Sequence, residues 1–270
     1  MVEITKKYKI GSRRFGLINW IGFWALYKKE VLRFLIVWVQ TIFSPIVTSL
    51  LFLLVLSLAM SNDRADVLGV TFISFLAPGL IAMQVIQQSF SHSSSSFMIG
   101  KIQGNIVDIL YAPLSAAEVT LAITFAAVSR SVMIAIISII TFIFLIDIEV
   151  KNYLTLIIFT LLASFSLGAL GIIAGLWAEK FDHMASVTNF IIVPLSFLSG
   201  TFYSIERLPN FLQVLSKCNP FFYMIDGFRY SFIGKSDGSI LIGLSYLSTL
   251  SILIWFIAFL LYKKGYKIRS

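Results

Sequence analysis

Six stretches of this chain run for about 16 to 25 residues with almost no charge, and nothing else in the sequence restricts the fold as strongly. Crossing about 30 Å of hydrocarbon takes roughly 20 apolar residues at 1.5 Å each. The windows are 39–59, 67–87, 122–146, 153–177, 187–202 and 240–262. Inside a bilayer the backbone must satisfy its own hydrogen bonds, so segments of this length become helices. The expected fold is all-α: a polytopic membrane protein with six transmembrane helices in one domain, 1–270, the bundle covering 39–262. Composition agrees, with 58% of residues hydrophobic and 13% charged, against roughly 45–50% and about 25% in soluble domains. A water-soluble globule is excluded. The fifth window is the shortest and carries Pro194, so it either begins earlier, near Asp182, or is a broken helix.

Lys and Arg outnumber Asp and Glu by 21 to 13, a net charge of +8. In so apolar a chain that excess points to a membrane surface rather than to nucleic acid, and no DNA-binding module is visible. The first 38 residues carry Lys6, Lys7, Lys9, Arg13, Arg14, Lys28, Lys29 and Arg33, and the tail carries Lys263, Lys264, Lys267 and Arg269, against Glu3 and Glu30 alone. Positive flanks stay inside, so both termini are expected in the cytoplasm and the number of spans is even. The run 221–233 is then too short for a seventh span and suits an interfacial or re-entrant piece. The 38 polar and mixed residues before the first window do not resemble a secretory signal. Leu17, Trp20, Trp24, Tyr27 and Val31 recur there at spacings of three and four, predicting an amphipathic helix over 12–33. It lies in the cytoplasmic headgroup layer or packs on another subunit.

After the second window comes a polar run from Gln87 through Ser96, expected as loop punctuation, with His92 solvated inside it. Ile102, Ile106, Ile109 and Leu110 then mark a face of a short helix ended by Pro113, and Ser115 to Glu118 has the form of a capping box. A helix from about Ala116 to Ile146 would be about 46 Å long and must project beyond the hydrocarbon. His183 is likewise placed in a short solvated loop. Past the fifth window, Pro209 and Asn219-Pro220 each suit a helix start, predicting a short extracytoplasmic helical hairpin within 203–238. Asp226 and Arg229, three apart, are placed to pair. The hairpin is either a plain covering loop or an outer gate.

Catalytic chemistry finds no constellation. The single Cys218 closes no intrachain disulfide, no Cys/His spacing suits a metal, and HExxH, GxSxG and GxGxxG are absent. Gly234-Lys235-Ser236 resembles the end of a phosphate-binding loop, but the glycine required five residues earlier is Arg229. The expectation is no enzyme and no cofactor bound by this chain. Arg130 is the unpaired base inside a span, about one turn deep, where it either snorkels as an anchor or makes a polar contact in the bundle. Gly171 and Gly175 form a G-x-x-x-G pair for close packing, within the chain or against a second copy.

Four stretches together resemble the membrane permease subunit of type-2 ATP-binding-cassette transporters, over nearly the whole chain. They are 29–34 leading to 40–45; Gly104 through Asp108 to 112–115; 198–202 with Leu208-Pro209; and Asn219-Pro220 with 227–229. The match is closest to the compact six-span bacterial branch of drug and polysaccharide exporters. The resemblance implies a half-transporter in the bacterial inner membrane, paired with a second copy as a homodimer and with cytosolic ATP-binding subunits that supply ATP and Mg. It makes 12–33 the connecting helix and the helix near 104–111 the coupling helix, with Lys101, Asn105, Ile106, Asp108, Ile109 and Leu110 at the ATPase. Ile106, Ile109 and Leu110 are its apolar contact, and Lys101 and Asp108 its polar one. A second ATPase contact falls at Glu179, Lys180, Asp182 and His183. The path and outer gate fall at Ser199, Phe202, Phe221, Phe222 and Tyr223. Alternating access, driven by closure of the ATPase dimer, is the implied mechanism. The alternatives are an ATP-independent secondary transporter or channel, which would need intramembrane carboxylates that the windows hold only at their margins, a membrane enzyme, and a scaffold. Cargo is open between drug, lipid and glycan.

Overall fold

The structure is a computed structural model that describes residues 18–60, 67–146 and 148–268. Lys6, Lys7, Lys9, Arg13, Arg14, Arg269, Glu3 and positions 12–17 of the expected amphipathic helix, Leu17 among them, lie outside the described residues. Eleven α-helical segments are present among the described residues: α1 Trp20–Ile36, α2 Ser44–Met60, α3 Phe72–Ile102, α4 Ile106–Tyr111, α5 Ala116–Leu145, α6 Tyr153–Trp177, α7 Phe181–Val187, α8 Val193–Leu198, α9 Asn210–Cys218, α10 Pro220–Ile233 and α11 Ile240–Lys263. Among the described residues six segments are long and apolar enough to cross a membrane: Val39–Ala59, Phe72–Ile102, Ala116–Leu145, Tyr153–Trp177, Phe181–Leu198 and Ile240–Lys263. The fold is all-α and polytopic.

The fifth span begins at Phe181, six residues before its hydrophobic window, and is α7 and α8 joined by a π-helical turn, Thr188–Ile192. A second π turn, Val39–Phe43, precedes α2. Each turn ends two residues before a proline, Pro45 or Pro194. Proline has no N–H and its ring crowds the carbonyl four residues back, so the wider turn relieves the clash and the helix continues.

α3 is the central post. It packs against α2, α5, α6 and α10, and 78% of its most apolar window is buried, against 11% for the fifth span. The serine run does not break it, which corrects the loop expected there. Ser94 and Ser95 hydroxyls donate to the carbonyls three residues back, Ser91 and His92, at 3.3 and 3.0 Å, so the polar side chains are satisfied within the helix. Their small size also admits α6. A Cβ on Gly171 would stand 2.5 Å from the Phe90 carbonyl, and one on Gly175 2.8 Å from the Ser94 carbonyl. The G-x-x-x-G pair is therefore spent inside the chain.

The bundle has two distinct ends. At one, Leu26, Phe97, Ile106, Val119, Ile172, Leu176 and Tyr262 form a common core. The first described helix and the end of the last one meet there, and we call it the terminal end. The other, the cap end, is closed by α9 and α10. Pro220 occupies the first turn of α10 while Asn219 accepts from the Phe221 N–H at 3.1 Å. α10 is sunk between α3, α6 and α11, with Gly227 flat against Phe159. An added Cβ at 227 would meet the Phe159 ring at 2.2 Å, and overpacking of that kind costs about 1–3 kcal/mol. Gly227→Ala should therefore lower the melting temperature of the detergent-purified chain, and Phe159→Leu in the same chain should recover part of the loss. A melting temperature unchanged by Gly227→Ala would mean that the Phe159 ring yields freely.

Candidate functional site

At the terminal end a short helix is fixed on a scaffold. Gly104, at φ +74°, turns the chain out of α3, and α4 follows. Ile106 is buried in the terminal core and Ile109 lies at its edge, whereas Val107, Asp108, Leu110 and Tyr111 are exposed. The apolar trio expected to meet a partner is thus divided. Ile106 anchors α4 to its own chain, because a six-residue helix cannot hold itself in place, and Leu110 with its outward neighbours faces away. Asn105 is exposed and donates to the Gln103 side chain at 3.1 Å. Lys101 is committed as well: its ammonium donates to the Leu176 carbonyl at 2.9 Å and to that of Ala178.

The start of α1 is tied to the same corner. The Asn19 N–H donates to Glu118 Oε1 at 2.6 Å, and the Asn19 amide donates to the Pro113 carbonyl at 2.9 Å. Glu118 also accepts from the Ser115 N–H at 2.6 Å and completes the capping box anticipated from sequence. A groove of about 500 Å³ runs between α1 and α4, lined by Ile21, Ala25, Lys29, Asp108, Ile109 and Leu114. On the other side of α1, Trp20 and Trp24 stand exposed, and Tyr27 meets Ser129 at 2.6 Å.

The second corner, between α6 and α7, is largely helix rather than loop. Glu179 accepts from Lys267 at 2.7 Å, and the bonded ammonium holds the Glu179 carboxyl below its ordinary range while Lys267 is raised in return. Lys180 and Asp182 are exposed, and the His183 ring lies 5.4 Å from that of Trp177. Lys101, bonded to the Ala178 carbonyl, links this corner to the base of α4.

At the cap end, Asp226 and Arg229 do not form the expected ion pair. Each is drawn to a different backbone: Asp226 accepts from the Asp237 and Gly238 N–H groups, both at 2.9 Å. Arg229, 1% exposed, donates to the carbonyls of Gly200 and Thr201 at 2.6 and 3.3 Å and lies 3.8 Å over the Phe75 ring. Asp237 in turn accepts from the Ser204 hydroxyl at 2.7 Å. Of the expected gate residues, Ser199, Phe221 and Phe222 are buried in the cap itself. Phe202 and Tyr223 are half-buried, Phe202 lying against Phe52 and Phe197 and Tyr223 against Tyr246.

One polar cluster was not anticipated. Glu30, 1% exposed, accepts from Arg33 and from the Ser96 hydroxyl, both at 2.9 Å. Arg33 also donates to the His92 carbonyl at 2.9 Å and to Ser95 Oγ at 3.2 Å. His92 is fully buried rather than solvated, with Nε2 3.8 Å from Glu30. Arg130, 7% exposed, donates to Gln88 Oε1. It makes a bundle contact and does not snorkel. The only sequence signal for this cluster was Glu30 and Arg33 three apart on α1, since the serine run hid the helix that supplies the other half.

Comparison with known proteins completes the description. A family model described as ABC-2 type transporter matches residues 21–233. The chain is 30% identical over 253 residues to the inner membrane transport permease YadH of Escherichia coli (strain K12), covering 94% of this chain and 99% of that protein. It is 22% identical over 254 residues to Nodulation protein J of Neorhizobium galegae, covering 92% and 94%. With Nodulation protein J of Rhizobium leguminosarum bv. viciae the identity is 24% over 231 residues, covering 82% and 84%.

Proposed function

Because this chain belongs to the ABC-2 type transporter family, we propose that it forms the translocation path of an exporter as a dimer, driven by ATP hydrolysis in a separate cytosolic subunit. Family membership makes it a multi-pass membrane subunit of a transporter rather than an enzyme. In this reading the terminal end faces the cytoplasm, in keeping with the basic residues at both ends of the chain, and the membrane is a bacterial inner membrane, as the name of the YadH relative says of that protein.

The observation that carries the coupling role is α4: a six-residue helix, anchored by Ile106 and presenting Val107, Asp108, Leu110 and Tyr111 outward. Such a pad can receive force from a partner and pass it to α1 and α5 through Pro113, Asn19 and Glu118, while Lys101 ties the base of α3 to the end of α6. The Glu179 to His183 corner is its second footing, and the cap of α9 and α10 is the outer gate. ATP and Mg belong to the partner's site. Ion coupling without ATP is disfavoured, because the described spans hold carboxylates only in their first turns, at Glu118 and Asp182.

The test is a detergent pull-down of the tagged full-length chain from its native membrane with an ATPase assay on the eluate. A cytosolic ATP-binding subunit recovered with ATPase activity is the expected result. A chain that comes out alone and transports without ATP would move the assignment to a secondary transporter.

A further inference from the structure

Along α3 from Phe75 to Met98, the positions that are not buried are Gln87, Gln88, Ser91 and Ser95, and all four are polar. They recur at helical spacing and make one stripe about 12 Å long at 1.5 Å per residue. The stripe ends about two turns before the terminal end of α3. Elsewhere the spans present mainly Leu, Ile, Val and Phe outward, as at Leu51, Leu54, Val55 and Leu58 of α2 and Ile252, Leu253 and Phe256 of α11, and the exposed Thr48 and Thr249 hydroxyls are spent on carbonyls four residues back in their own helices. Lipid tails do not solvate glutamine, so a polar stripe at this depth faces water, protein or a polar ligand.

The hydrogen bonding of the stripe is lopsided. Two of its four side-chain acceptors are occupied, Gln88 Oε1 by Arg130 and Ser95 Oγ by Arg33, and the one nearby carboxylate, Glu30, receives from Arg33 and Ser96. With its oxygen turned to Arg130, Gln88 keeps two amide donors. The buried Gln87 Nε2 and Arg130 Nε have no partner among the described residues, and no described carboxylate is within ion-pair distance of Arg130. Two guanidinium groups therefore stand against one carboxylate, behind a surface of spare donors. Arg33 is the accessible one, its side chain 27% exposed. Excess donors around planar cations match phosphate oxygens.

The flank is bounded on one side by α1 and α2 and on the other by the fifth span, and in the turn just after that span Phe202 lies 6.3 Å from Phe52 of α2 at the cap end. The outward surfaces of α2 and of the cap-side half of the fifth span carry Leu54, Leu58, Phe190 and Ile191. A charged headgroup on the stripe would leave its hydrocarbon tail beside surface of that kind. Resting on the permease reading above, we propose that this flank admits the cargo and that the cargo is a phosphate-headed amphiphile taken from the leaflet at the terminal end. Arg33, Gln88, Ser91 and Ser95 hold the phosphate, and Arg130 orients Gln88 from behind.

Binding is tested on the full-length chain alone, in phosphatidylcholine nanodiscs, with spin-labelled phosphatidylglycerol and spin-labelled phosphatidylcholine as probes. About a tenfold preference for phosphatidylglycerol is expected, with dodecyl phosphate competing and inorganic phosphate at equal concentration failing to compete. Ser91→Asp, which adds a negative charge at a half-buried position whose hydroxyl makes no described bond, should abolish the preference, and Ser91→Asn should keep it. Equal binding of both lipids, competition by inorganic phosphate as strong as by dodecyl phosphate, or an unaltered preference in Ser91→Asp would each overturn the proposal. None of these outcomes depends on the ATP-binding subunit, so the pull-down above can fail or succeed independently. Where binding holds, ATP-driven movement of labelled phosphatidylglycerol in proteoliposomes of the complex should fall at least tenfold in Ser91→Asp. Wild-type movement in that variant would make the flank a resident-lipid site and overturn the cargo assignment.

Discussion

Val107→Asp combined with Leu110→Asp is expected to strip the ATP-binding subunit from the purified complex while leaving the chain folded. Both side chains are exposed on the outer face of α4, so two carboxylates there meet water in the isolated chain and cost it little. In a complex they would be desolvated against an apolar partner surface, and at least 3 kcal/mol of lost contact corresponds to more than a hundredfold in affinity. Recovery of the partner in the pull-down should drop below detection, with the melting temperature of the chain held within about 2 °C. Ile106→Asp is the contrasting case. It buries a charge in the core shared with Leu26, Phe97 and Val119 and should lower the melting temperature whether or not a partner is present. Wild-type recovery of the partner with Val107→Asp/Leu110→Asp would remove α4 from the interface.

Replacing Arg229 with Gln is expected to unseat the cap. The guanidinium joins two structures: the turn at Gly200 and Thr201, through its carbonyls, and the first turn of α3, through the Phe75 ring. Gly79 keeps the approach open, since a Cβ there would stand 2.5 Å from the Thr201 carbonyl and 2.9 Å from the Arg229 Nη2. Loss of two charge-assisted bonds and the ring contact at a fully buried site costs about 3–5 kcal/mol. Arg229→Gln should therefore bring the melting temperature down by on the order of 10 °C and open the cap to trypsin at the exposed Arg207 and Lys217. Arg229→Lys, which keeps the charge but not the planar fork, should fall between the two. Unchanged tryptic protection in Arg229→Gln would show that the bonds of Asp226 to the 237–238 backbone and of Asp237 to the Ser204 hydroxyl and the Ile205 N–H are enough to hold the cap closed.

Both predictions rest on side chains whose sequence reading and structural role differ. Helical spacing places Asp226 and Arg229 on one face, yet spacing does not say which backbone groups lie within reach, and each side chain is bonded to a different stretch of backbone. Ile106, Ile109 and Leu110 were read as one contact surface because they are apolar and nearly adjacent. They do share one face of the helix, but the neighbours that bury Ile106 and leave Leu110 exposed, Leu26 and Val119, come from elements about 80 residues and 13 residues away. The polarity of serine predicts a loop at His92 and the serine run. The structure makes them the middle of α3, where back-bonded hydroxyls and small volume let α6 pack closely.

What the sequence settled alone was set by the bilayer's demands: the number of spans from window length, and the local starts of α5, α9 and α10 from capping chemistry that acts over three or four residues. The family resemblance was legible for the same reason, since it lies in the order of these parts. What only the tertiary structure decided is which polar groups face one another across helices. Glu30, His92, Gln88 and Arg130 are up to 100 residues apart in the chain, and their pairing depends on how α1 and α5 seat on α3. A charge inside a bundle is satisfied by whatever the packing brings beside it, and no local pattern in a single sequence encodes that neighbour.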